Sequence, residues 1–309
     1  MIETHELTKR YGGKTAVDGI SFRVEPGEVL GFLGPNGAGK STTMKMIAGF
    51  LAPSAGTARV CGHDVIAEPL AAKRAIGYLP EGAPSYGEMS AGGFLQFVAD
   101  VRGLTGEVRR ERIGAVVERL ALGGVLLQPI DTLSKGFRRR VGLAAAILHD
   151  PPVLILDEPT DGLDPNQKHE VRGLIREMSR ERTIVISTHI LEEVDAVCTR
   201  AVIIAAGRLL ADATPAELEQ RSRYHGAVSF RTDDTVSARV ALEGLDGLQA
   251  VEADADSGRL VAIPRPGRTL GDSVAERLRS RHVAFSELQI ERGRLDEVFR
   301  RITTGGAQA

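Results

Sequence analysis

Residues Gly34 to Thr42 read GPNGAGKST, and they restrict the possible fold more than any other stretch. The apolar run Val29-Leu30-Gly31-Phe32-Leu33 before them has the character of a buried strand, and Met44, Ile47, Ala48 and Leu51 after them share one helical face. Strand, glycine-rich loop and helix, in that order, are the setting that separates a phosphate-binding loop from a chance match. Gly34, Gly37 and Gly39 let the backbone curl with its N–H groups turned toward phosphate oxygens, and Pro35, Asn36, Ala38 and Thr42 complete the loop. The helix start adds the positive end of its dipole. Lys40 has the reach for β- and γ-phosphates, and Ser41 can place its hydroxyl on Mg²⁺. The stretch implies a nucleoside triphosphate site.

The rest of the chain narrows the class. Its 309 residues suit one large domain, or an ordinary one with a small companion, and a formal charge of −2 gives no general attraction to nucleic acid or anionic lipid. The longest apolar runs, such as Val141 to Leu148, are far too short to cross a bilayer, and MIETHELTKRYGG lacks the apolar core of a signal peptide. Cys61 and Cys198 stand apart, with no spacing that implies a disulfide framework or a metal knuckle. The expected compartment is the cytosol.

Residues Ile2 to Lys9 and Ile20 to Val24 alternate apolar and polar like strands with one wet face. Tyr11, at the break between them, is either a strand-end aromatic packed on its neighbours or a platform for a purine ring. A strand at Ile76 to Leu79 ends on Pro80-Glu81, and a helical region runs from about Ser90 to Leu122, with Phe94, Phe97, Val98 and Val101 at core-like spacing. The arginines Arg109, Arg110 and Arg112 read as a solvated helix face. Ser134 suits a helix N-cap, and Gly136 permits close backbone approach, so this helix start is either ordinarily capped or a second anion site.

Val153-Leu154-Ile155-Leu156 deliver Asp157 and Glu158 to a strand's C-terminal end, where ligands gather in open parallel sheets. Two adjacent carboxylates there repel each other and lose hydration, so their natural partner is a cation. Asp157 suits Mg²⁺, directly or through water, and Glu158 suits proton transfer from an attacking water. The turn Asp161-Gly162-Leu163-Asp164-Pro165 then leads into a helix, and the strand Thr183 to Ser187 ends in Thr188-His189.

Together these motifs resemble the ATP-binding subunits of ABC transporters over about residues 2 to 220. GPNGAGKST corresponds to Walker A, LSKGF at Leu133 to Phe137 to the signature loop, and VLILDE at Val153 to Glu158 to Walker B. Gly162-Leu163-Asp164 corresponds to the D-loop and His189 to the switch histidine. The resemblance implies an α/β fold: a P-loop NTPase cassette with a RecA-like core, an antiparallel β subdomain and a helical subdomain at about 88–150. It makes Tyr11 an adenine-stacking residue, Ser134 and Gly136 γ-phosphate binders, Asp164 a nucleotide-site residue, and Lys40, Glu158 and His189 the hydrolytic set. Glu81 stands where the family usually has a metal-contacting glutamine, which puts it with Ser41 and Asp157 around Mg²⁺. LSKGF departs from the commoner LSGGQ. IGYLPE, LSKGF and LDEVFRRIT look most like the gliding-motility and drug-resistance exporter ATPases.

The expected domains are 1–222, the cassette, and 223–309, an accessory α+β domain. In the latter, Ala227 to Arg231, Arg259 to Ile263 and Val283 to Ile290 read as strands, and Leu270 to Ser280 and Leu295 to Ile302 as helices. The last residues, Gly305 to Ala309, read as frayed. The resulting expectation is an ATPase that powers an ABC-type exporter by ATP-dependent dimerisation. Its partners are membrane-spanning permease subunits and a second copy of itself or a related subunit, at the inner face of the plasma membrane. A soluble ABC-type ATPase acting on ribosomes or DNA is the alternative; a single P-loop and the lack of a basic stripe speak against it, and no nucleic-acid partner is expected.

Overall fold

Continuous apolar runs become strands buried on both faces, and three of them build the centre of the first unit's main sheet. A computed structural model describes residues 1–83, 85–254 and 257–305. The final residues 306–309, part of the stretch expected to fray, lie outside the described residues. In chain order the first unit runs β1 (Ile2–Tyr11), β2 (Lys14–Val24), β3 (Val29–Leu33), α1 (Lys40–Ile47), β4 (Ala55–Val60), β5 (His63–Asp64), α2 (Pro69–Arg74), β6 (Ile76–Leu79), α3 (Ala91–Val101), α4 (Gly106–Arg119) and α5 (Lys135–Ile147). It continues through β7 (Val153–Asp157), α6 (Pro165–Ser179), β8 (Thr183–Thr188), α7 (Leu191–Val197), β9 (Arg200–Ala205) and β10 (Arg208–Ala213).

The main sheet has six strands in the order β10-β9-β3-β8-β7-β6. All but β10 run parallel. Every residue of β3, β7 and β8 is buried, as a parallel sheet covered on both faces requires. A second, four-stranded sheet, β2-β1-β4-β5, is antiparallel. Met44, Met46 and Ile47 of α1 join a core with Ile2, Leu7 and Ile20 of the antiparallel sheet and Leu30, Ile155 and Val185 of the main one. The phosphate-loop helix is therefore clamped between two sheets. Because β3, β8, β7 and β6 are parallel neighbours, the loops after them share one edge.

Helices α3, α4 and α5 occupy the expected helical segment. The helical region expected over about Ser90 to Leu122 consists of two helices, α3 and α4, separated after Val101, where Gly103 and Gly106 take left-handed φ of 75° and 59°. Phe94 is buried, but Phe97 and Val101 are exposed, contrary to their core-like spacing. Phe97 packs edge-on against Tyr86 instead, with ring centroids 5.4 Å apart. Arg112 also differs from a solvated residue. It donates to the carbonyls of Leu148 and Ile147, satisfying the C-terminal end of α5.

The second unit, Thr214–Thr304, comprises α8 (Pro215–Gln220), β11 (Val228–Arg231), α9 (Thr235–Leu242), β12 (Leu248–Ala253), β13 (Leu260–Pro264), α10 (Gly271–Ser280), β14 (Ser286–Ile290) and α11 (Leu295–Gly305), the last reaching one residue beyond that range. Its antiparallel sheet, β12-β13-β11-β14, packs Val228, Phe230 and Leu260 against Ala238 and Leu242 of α9 and Val274 and Leu278 of α10. The division falls after Ala213 rather than after residue 222. Helix α8 goes with the tail because Gly293 sits where a Cβ would lie 2.1 Å from the Glu219 carbonyl, and Arg301 donates to the Arg221 carbonyl.

Candidate nucleotide site

At the sheet edge a cleft of about 470 Å³ is lined by Asn36, Gly37, Gly39, Lys40, Ser41 and Thr42 from the loop and α1, with Tyr11, Lys14, Ala16, Glu81, Glu158 and His189 around them. The loop is shaped by contacts that exclude side chains. A Cβ on Gly34 would lie 2.4 Å from the Ile204 carbonyl, and one on Gly39 would lie 2.6 Å from the Ala16 carbonyl. Gly39 is the left-handed N-cap of α1, with φ 109°, and the first N–H groups of a helix have no partner within it. They are left for an anion. Ala38 and Pro35 shape the turn from behind: the Ala38 N–H donates to the Pro35 carbonyl, and its own carbonyl accepts from Gly207. Lys40 is buried, and its ammonium donates to the carbonyls of Gly34 (2.6 Å) and Pro35 (3.2 Å). Desolvation pulls its pKa below the ordinary lysine value, while Glu158, Asp157 and Glu81 oppose that shift.

Asp157 closes β7 and is 1% exposed. One carboxylate oxygen accepts from the Ser187 hydroxyl, and the other, Oδ2, is buried without a hydrogen-bond partner. An orphaned carboxylate oxygen is costly unless a cation or its water shell satisfies it. Asp157, the Ser41 hydroxyl and the exposed Glu81 carboxylate therefore fit Mg²⁺ bound with a phosphate. Among the described residues no group of three or more His, Cys, Asp or Glu side chains forms a metal cage.

Glu158 has φ 51°, a left-handed conformation that costs a non-glycine residue about 1–3 kcal/mol. Its amide donates to the Ser187 carbonyl, and its Oε1 lies 2.8 Å from His189 Nδ1. An ionised carboxylate only accepts, so the ring proton in this pair is on Nδ1. Tyr11 stands half-exposed at the cleft mouth, with Lys9 Nζ 5.3 Å from its ring centroid.

Ser134, Gly136 and Asp164 are absent from this cleft. Ser134 caps α5, its hydroxyl accepting from the Phe137 amide, and Asp164 caps α6, accepting from the Gln167 amide at 2.9 Å. Both are exposed, whereas Gly136 is buried, and a Cβ on it would lie 2.5 Å from Gln167 Oε1. The signature-like loop and the Asp161–Asp164 turn are joined by Lys135, whose ammonium lies 2.8 Å from Asp161. Reading the sequence left Lys14, Ser187 and Arg139 without a role. Arg139 was concealed among Arg138 and Arg140, although Gly136, Arg139, Leu143 and Ala146 share one buried helical face.

This arrangement defines a P-loop ATPase cassette. The family model described as ABC transporter matches residues 17–161. The daunorubicin/doxorubicin resistance ATP-binding protein DrrA of Streptomyces peucetius is 35% identical over 314 residues, covering 98% of this chain and 92% of that protein. The chain belongs to the ABC transporter family, as an ATP-binding subunit. The probable multidrug ABC transporter ATP-binding protein YbhF of Escherichia coli is 38% identical over 223 residues, 72% of this chain, and the match spans 38% of that longer relative. Among solved structures, an ATP-binding subunit of an ABC transporter aligns with a TM-score of 0.67 at 30% identity, over 72% of this chain and 92% of that one. A dimeric bacterial ABC transporter cassette shares the fold, with a TM-score of 0.65 at 22% identity, over 69% of this chain and 98% of that one.

Proposed function

We propose that this chain hydrolyses ATP to drive an ABC-type exporter, acting at the inner face of the membrane as one of a pair of cassettes. The observation that carries the reading is the Glu158 carboxylate held 2.8 Å from His189 in the same cleft as Lys40 and Ser41. Lys40 and the N–H groups of the loop hold the phosphates, and Tyr11 offers its exposed ring to the adenine. Bound Mg²⁺ supplies charge neutralisation on the β- and γ-phosphates, with Ser41, Asp157 and Glu81 as the residues to hold it. Glu158 takes the proton from the attacking water, and His189 steadies its carboxylate. Ser134, Gly136 and Asp164 serve the partner cassette's nucleotide, because they lie outside the cleft of their own chain.

The relatives named for drug resistance and multidrug transport support an exporter. Among the described residues no helix is long and apolar enough to cross a membrane. An apolar groove of about 610 Å³, with exposed Phe50, Leu70 and Val101 on its walls, offers a surface for a permease segment.

The test is Glu158→Gln. Removing a general base costs on the order of 10²–10⁴ in rate, whereas the amide removes a negative charge beside the γ-phosphate and preserves shape. MgATP binding should survive or tighten, turnover should collapse, and the variant should move to twice the chain mass on adding MgATP. Hydrolysis at the parent rate would remove Glu158 from its role. A collapse of turnover with no change of mass would refute the shared site.

A further inference from the structure

Arg139 is 5% exposed in the middle of α5, and no carboxylate among the described residues pairs with it. Its guanidinium donates instead to four main-chain carbonyls. Nη1 reaches Pro80 at 3.3 Å, Nε reaches Pro159 at 3.3 Å, and Nη2 donates to both Asp157 and Glu158. Pro80 follows β6 and precedes Glu81, so a single side chain joins the ends of two neighbouring strands that supply the acidic wall of the cleft.

The Asp157 and Glu158 carbonyls have a further geometric meaning. They belong to the two peptide planes on either side of the Glu158 Cα. Nη2, donating to both, ties the two planes to one point and so restrains the backbone of Glu158 and, with it, the direction of its Cβ. Glu158 needs such a restraint, because a left-handed non-glycine residue persists only where its surroundings over-determine it. Burial lowers the guanidinium's pKa, and Asp161, Asp157, Glu158 and Glu81 all oppose that shift.

We infer that Arg139 is the positioning residue for Glu158: it holds the strained turn that aims the carboxylate at His189, and it makes that aim depend on how α5 is seated. Helix α5 is capped by Ser134 and carries Gly136 in its first turn, so displacement of that end is carried through Arg139 to the base. The inference rests on Glu158 being the base.

Lysine has one nitrogen where arginine spreads donors over Nε, Nη1 and Nη2, so it cannot hold Pro80, Pro159 and the two carbonyls flanking Glu158 together; Arg139→Lys is therefore the sharper variant and Arg139→Met the more complete. Both should bind MgATP with affinity within a factor of about three of the parent. Their single-turnover hydrolysis should be slower by about 10²-fold, as for a displaced catalytic group. A residue acting only through Glu158 should cost nothing further once Glu158 is Gln, whereas a packing residue should cost the same factor in either background. If Arg139→Met does not fold, Arg139→Lys, with its charge and stem retained, carries the test. Hydrolysis at the parent rate in a folded Arg139 variant, or an equal loss in the Glu158→Gln background, would overturn the inference. Collapse of Glu158→Gln beside a parent-rate Arg139→Lys removes this inference alone; parent-rate Glu158→Gln removes the proposed base and this inference together.

Discussion

Glu81 brings a carboxylate to the cleft wall, close enough to support the charge of Lys40. As a hard oxygen ligand it should strengthen the hold on Mg²⁺ at that edge. Glu81→Gln should leave ATP binding intact and raise the Mg²⁺ needed for half-maximal hydrolysis by about fivefold, the worth of roughly 1 kcal/mol. An unchanged Mg²⁺ titration would return Glu81 to being a turn residue at the end of β6. His149 offers a different test, of stability rather than chemistry. Its Nε2 lies 3.1 Å from the Ile76 carbonyl, and burial, with Arg102 and Arg112 nearby, lowers its pKa from 6.5 to about 4. The folded value lies below the unfolded one, so between pH 6.5 and about 4 the unfolded chain takes up a proton that the folded chain refuses. The His149 contribution is therefore complete above pH 6.5 and is lost as pH falls through that window. Urea unfolding at pH 7 and pH 5 should show a smaller loss of stability for His149→Gln than for the parent. Equal losses would mean that His149 titrates as freely in the folded chain as in the unfolded one.

Among the elements, what could be read from sequence followed how each is buried. Strands covered on both faces are apolar through their centres, and so Val29 to Leu33, Val153 to Leu156 and Thr183 to Ser187 were readable. Their loops were readable too, because glycines, paired carboxylates and a strand-end histidine have few other uses in combination. Arg139 was not, because a charged residue beside two other arginines looks solvated, and its partners are carbonyls that carry no side-chain signature. Helix α9 was also missed. Its Val236 and Val240 are exposed, and its β-branched residues weaken the helical signal that the Asp234 cap supplies. Strand β12, at a sheet edge with only partly buried side chains, owes its form to pairing with β13, a non-local cause. The break between α3 and α4 rests on Gly103 and Gly106, each as compatible with a weakened helix as with a turn.

At the scale of the molecule, each unit encloses its own core, and every residue lining the nucleotide cleft lies within Met1–Ala213. A chain ending at Ala213 should therefore fold and bind MgATP within a factor of about three of the affinity of the 309-residue chain. Loss of binding in a folded fragment would show that the tail supplies part of the site. The exposed caps Ser134 and Asp164 have a consequence of another kind. On the pairing proposed above, neither chain owns a complete reaction centre, so hydrolysis is second order in the protein itself. Dilution alone idles such an enzyme. A membrane subunit that seats two copies side by side replaces bulk concentration with a fixed effective one, and thereby acts as the ignition for fuel use as well as the route for cargo.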